Sequence, residues 1–117
     1  MGSEQRQYPR VGSPFPCRFR PAGELMELWR TGTIVDLSAG GFRLTTTQVL
    51  DEDVKLEFEI RLPARAERYV LYGQIVWAKD IAADLKEYGV VLVDITPDKQ
   101  AQLDELVQFL LKARRKP

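Results

Sequence analysis

Apolar and polar residues alternate along most of this chain. Phe15, Cys17 and Phe19 are interleaved with Pro16, Arg18 and Arg20, the period-2 signature of a strand with one face in a core and one in water. Pro21-Ala22-Gly23-Glu24 then supplies a turn. The pattern predicts a second strand over 28–36 and a short third over 42–46, with Phe42 and Leu44 on one face and Arg43 on the other. In Val54–Leu62 every second residue is apolar and every intervening one charged, which predicts a fourth strand with one solvated face. Tyr69–Trp77 is apolar on both faces with Gly73 inside. That predicts a central strand closely approached by another element, with Trp77 packed in the core. A sixth strand is predicted over Tyr88–Ile95. Thr96 then suits an N-cap with Pro97 at the first helical position. Leu103, Leu106, Val107, Leu110 and Leu111 follow as a 3.6-period stripe, predicting an amphipathic helix over about 97–114.

The fold class this implies is all-β: a small six-stranded antiparallel barrel over 15–117, ending in one C-terminal helix. Closure removes exposed sheet edges, and the helix covers an open end. Residues 1–14 hold two Pro, two Gly, two Ser and no hydrophobic period, so they are expected to form a flexible N-terminal arm outside the core.

Composition narrows the function. Seventeen Lys and Arg balance seventeen Asp and Glu, so no global positive field recruits duplex nucleic acid or an anionic membrane. Any anion must be held locally. The chain has no His, which removes the commonest proton carrier and metal ligand, and no metal or cofactor is expected. Cys17 is the single cysteine; it cannot form an intrachain disulfide and suits a small core position. No carboxylate pair stands in a recognisable motif and no phosphate-binding P-loop is present, so an enzyme is not expected. The apolar runs fall far short of the roughly 20 residues that span a bilayer, and the polar opening lacks a secretory signal, so the expected location is cytoplasmic. Four of the last five residues before Pro117 are cationic, which suits a solvated helix end.

Two short motifs carry candidate chemistry. Arg6 and Arg10 form R-x-x-x-R in a stretch that Pro9 keeps extended, which places them on one side of the chain about 13 Å apart. Two guanidinium forks so placed can bracket a flat, multiply charged anion. With eleven Arg in the chain, about one such match is expected by chance, and Arg61/Arg65, a second match, suits a solvated strand exit. Asp36-x-Ser38-x-x-Gly41 is much rarer by chance, at about 0.01 expected matches. Ser38 can donate to a phosphate oxygen, Asp36 can accept from N–H groups on a base edge, and Gly41 with Gly40 lets backbone amides approach an anion. The same residues equally suit a turn in which Asp36 and Ser38 cap their own backbone.

The two motifs, in this order with 25 residues between Arg10 and Asp36, resemble the PilZ domain family of bacterial cyclic di-GMP receptors. The phrase IVDLSAGGFRL, the GQIVWA and YGVVLVDI strands and the terminal helix extend the resemblance over nearly the whole chain. The resemblance implies a barrel with a C-terminal helix and a ligand site in which Arg6 and Arg10 grip guanines and phosphates. Asp36 and Ser38 would contact the ligand from the barrel surface, and Gly41 would be the motif glycine. Gln5 stands where the family often has a further basic residue, and Trp77 where it often has an aromatic near the binding surface. The implied function is a non-enzymatic second-messenger receptor that binds cyclic di-GMP and relays it by conformational change to an unidentified protein partner or fused output domain. Two alternatives are a PilZ adaptor that binds no ligand and acts by protein contact, and a small-barrel binder of single-stranded nucleic acid.

Overall fold

The computed structural model describes residues 8–12, 14–24, 26, 28–61 and 68–115. Among the described residues, six strands and a helix follow in chain order: β1 (Phe15–Pro21), β2 (Arg30–Val35), β3 (Gly41–Thr46), β4 (Lys55–Ile60), β5 (Tyr69–Ala82), β6 (Leu85–Val93) and α1 (Pro97–Arg115). Every pairing is antiparallel, and the order β1-β2-β3-β6-β5-β4 closes on itself into the expected barrel.

The alternation decides what lies inside. Phe15, Cys17 and Phe19 of β1 and Leu56, Phe58 and Ile60 of β4 are all buried. Phe58 meets Phe42 edge-on, with ring centroids 5.0 Å apart, a geometry that aromatic quadrupoles favour. The charged residues of the same strands pair across the outer face. Arg18 reaches Glu59 at 2.9 Å and Arg20 reaches Glu57 at 3.3 Å, while both guanidiniums stack on Trp29. Gly73, where a close approach is expected, lies against Phe58 and Val90.

The helix starts as its sequence indicates: the Lys99 amide donates to Thr96 Oγ1 at 3.2 Å, an N-cap bond. Leu103, Leu106, Val107 and Leu110 join the core. Gln100 Nε2 donates to the Ala39 carbonyl at 3.0 Å, tying the helix to the turn between β2 and β3.

Four details depart from expectation. β2 begins at Arg30 because pairing with β1 ends at Phe19↔Arg30, and Leu28 stands 84% exposed. The β5–β6 hairpin continues to Ala82 and Leu85, well past Trp77 and ahead of Tyr88. Residues 76–85 are exposed on both faces, so there is no alternation to signal a strand. Trp77 is not in the core. A register shift between Ile75 and Trp77 sets Ile75 opposite Val90 and Trp77 opposite Gly89, and the extra residue in this bulge turns Trp77 to the outer face. Finally, the described part of the arm does contribute to the core: Val11 is fully buried and exchanges two backbone hydrogen bonds with Leu37, at 2.8 and 2.9 Å.

Cys17 lies in the core as expected, and burial pushes its thiol up to about 12, with a backbone contact at Gly32 opposing the shift. The nucleophile is the thiolate, so Cys17 in the native protein should resist alkylation by iodoacetamide at pH 8 and react at an ordinary rate in denaturant. Rapid native labelling, read by mass spectrometry, would contradict this packing.

Candidate functional site

The turn Asp36–Gly41 is built by its own residues. Asp36 adopts φ 59°, a left-handed conformation that a short polar side chain tolerates better than most. This redirects the chain so that Leu37 pairs with Val11. Ser38 is 3% exposed, and its hydroxyl is committed to the turn. It donates to the Gly41 carbonyl at 3.1 Å and accepts from the amides of Gly40 and Gly41 at 3.1 and 3.2 Å. These are the bonds of the turn-forming role; the ligand-contacting role of Ser38 is a separate proposal. Gly41 then enters β3 so close to β6 that a Cβ would lie 2.3 Å from the Val90 carbonyl oxygen.

Arg10 crosses to this turn. Its Nη1 donates to the Asp36 carbonyl at 3.0 Å and to Asp36 Oδ2 at 3.2 Å. Its Nε is buried and has no hydrogen-bond partner among the described residues. Thus the second arginine of R-x-x-x-R and the aspartate of D-x-S-x-x-G, 26 residues apart, meet at one point. Arg6 lies outside the described residues, as do Gln5 and Arg65.

Around that point is a cleft of about 330 Å³, lined by Arg10, Asp36, Gly40 and Arg43 on one side and by Trp77, Gly89 and Val91 on the other. Its volume falls in the range of small-molecule sites, about 300–1,000 Å³. Three strands shape the floor: Arg43 of β3 and Trp77 of β5 both stand opposite Gly89 of β6. Gly89 is bare so that the indole can lie over it, since a Cβ there would fall 2.1 Å from Trp77 Nε1. Trp77 is 40% exposed, and its indole offers a flat face for stacking. Two guanidiniums, of Arg10 and Arg43, and one carboxylate, of Asp36, line the cleft on a chain of zero formal charge.

Arg43, Trp77 and Gly89 were not among the motif residues. Arg43 is legible as an outward residue of β3, but only the β3–β6 register shows what stands beside it. A Gly89→Ala substitution should displace the indole and leave the barrel folded, because the colliding group is a side chain able to swing away. The expected results are a changed near-ultraviolet circular dichroism spectrum and a melting point lowered by a few degrees; an unchanged aromatic spectrum would contradict the placement of Trp77.

The PilZ domain family matches residues 4–109. The chain belongs to the PilZ domain family. No curated protein sequence matches it. Among solved structures, the PilZ domain of YcgR from Escherichia coli, determined with c-di-GMP, superposes with TM-score 0.74 at 17% identity over 95% of each chain. The Bacillus subtilis inhibitor of motility MotI gives TM-score 0.73 at 16% identity, over 95% of this chain and 53% of that one. Apo MrkH of K. pneumonia gives TM-score 0.72 at 21% identity, over 96% and 53%. This PilZ chain therefore spans about half the length of MotI and MrkH. The likenesses fix the fold; the chemistry of the site rests on its own residues.

Proposed function

We propose that this PilZ domain is a receptor for cyclic di-GMP and performs no reaction. The observation that carries the reading is the meeting of Arg10 and Asp36 at the mouth of a cleft that Trp77 and Arg43 also line. Arg10 presents a guanidinium to phosphate or to a guanine edge. Asp36 accepts from guanine N–H donors. Ser38 and Gly41 contribute by holding the turn, and the exposed indole stacks on a base. Arg6, four residues before Arg10, would complete the grip from the arm. The YcgR domain and the Borreliella burgdorferi PlzA protein, both determined with c-di-GMP, share this fold, which supports the assignment of ligand class.

Binding would relay a signal by fixing the arm, residues 1–14, against the barrel. Val11 already anchors the arm at Leu37 and Tyr8 packs against the core, so the ligand-dependent change falls on the residues before Tyr8 and makes a surface for a protein partner or an attached domain. Isothermal titration calorimetry of cyclic di-GMP into the chain, with GTP as control, tests the reading. Micromolar or tighter binding that weakens as salt rises and is not matched by GTP is expected. Absence of heat with a folded chain would overturn it in favour of an adaptor that acts by protein contact alone.

A further inference from the structure

We propose that Arg43 is a positioning residue of this site, braced from behind by the buried Glu87 so that it holds the Asp36 carboxylate in the orientation a guanine edge requires. The inference rests on the cyclic di-GMP reading and assigns a role to two residues outside both motifs.

The guanidinium of Arg43 is divided between two carboxylates. Its Nε stands 3.5 Å from Asp36 Oδ2 and its Nη1 3.2 Å from Glu87 Oε2. Asp36 Oδ2 is also the oxygen that accepts from Arg10. One oxygen of Asp36 is therefore clamped between two arginines, one from the arm and one from the barrel wall. The barrel arginine is the fixed one, because β3 is paired on both sides.

Glu87 explains how Arg43 stays in place. It lies two residues before Gly89 on the same outer face of β6, diagonal to Arg43 and opposite Lys79. Its side chain is only 8% exposed, although it belongs to the outer face. A carboxylate so poorly hydrated needs positive neighbours. Arg43 supplies one, and Lys79 Nζ, 3.6 Å from Oε1, supplies the other. The charges alternate from the arm to the hairpin: Arg10, Asp36, Arg43, Glu87, Lys79. Because Glu87 is buried, removing its partner would leave a poorly hydrated charge, and the pair so held beside a binding carboxylate fixes the geometry of an acceptor.

The test is a double-mutant cycle with Arg43→Gln and Glu87→Gln, read by calorimetry with cyclic di-GMP and with cyclic di-IMP, whose base lacks the exocyclic amino donor. Arg43→Gln should weaken cyclic di-GMP binding about tenfold, the scale of one charge-assisted contact. It should also lower the preference for cyclic di-GMP over cyclic di-IMP. Glu87→Gln should move both quantities the same way by less, and the double variant should match Arg43→Gln alone. Equal losses for both ligands, or additive losses in the double variant, would mean that the pair only supports the fold and would overturn the proposal. In the ligand-free protein, the ¹³C carboxyl resonance of Asp36 should shift in both single variants. An unmoved resonance overturns the bracing whether or not the chain binds cyclic di-GMP. Wild-type chain that binds neither ligand defeats the receptor reading and, with it, the role of Arg43 in ligand orientation.

Discussion

Gly41→Ala is expected to lower the melting temperature by about 12 °C, corresponding to about 3 kcal/mol of overpacking in a domain of this length. A Cβ at this position meets the Val90 carbonyl oxygen at 2.3 Å, with Val90 C and Val91 Cα at 3.3 Å. All three are backbone atoms of β6, held by the ladder that pairs Gly41 with Val91 and Phe42 with Val90. No rotamer change relieves the clash, so β3 must move off β6. That movement also breaks the turn, because the Gly41 amide donates to Ser38 Oγ and its carbonyl accepts from both the Ser38 amide and hydroxyl. The loss of stability should therefore be accompanied by loss of cyclic di-GMP binding. Thermal melting followed by circular dichroism checks the first effect; a wild-type melting point would show that the two strands are farther apart than the structure places them.

Arg10→Ala is the complementary case, with a large effect on ligand and a small one on the fold. Removing the side chain deletes both contacts to Asp36 and the buried Nε donor. Affinity for cyclic di-GMP should fall about a hundredfold, the scale of a multidentate charge-assisted contact. The fold should survive, with a melting point within about 5 °C of wild type, a shift on the order of 1 kcal/mol. Arg43 still faces Asp36, and Val11 still holds the chain at Leu37. Arg10→Lys should recover only part of the affinity, because an ammonium lacks the planar fork. Unaltered binding in Arg10→Ala would exclude Arg10 from the site.

The barrel was legible in the sequence wherever a strand has one wet face and one dry one. Val54–Leu62 and the Phe15–Phe19 stretch declare themselves because every second side chain must avoid water, and the helix does so through its leucine stripe and Thr96 cap. Legibility fails where that constraint lapses. The outer part of the β5–β6 hairpin leaves the barrel and buries neither face, so it carries no period. The bulge after Ile75 reverses the facing of Trp77, and a periodic reading carried through it assigns the ring to the core. Val11 is the one aliphatic β-branched residue in a polar, proline-bearing stretch; its burial follows from the bridge to Leu37, which is a long-range fact. In the site, D-x-S-x-x-G was visible as a motif, and the hydrogen bonds of Ser38 to Gly40 and Gly41 show that its hydroxyl also organises the turn. Arg43 and Glu87 were invisible as a pair because their proximity is set by the β3–β6 register and not by their spacing along the chain.

Nuclear magnetic resonance can locate cyclic di-GMP in the cleft between the Asp36–Gly41 turn and Trp77. Two-dimensional ¹⁵N–¹H spectra recorded through a titration with cyclic di-GMP should show the largest changes at the amides of Arg10, Asp36, Gly40 and Arg43 and at the Trp77 indole. The amides of Glu57 and Glu59, on the outer face of β4, should hardly move. Changes centred on the β1–β4 face or the Trp29 indole would place the ligand elsewhere, and no changes at saturating ligand would exclude binding.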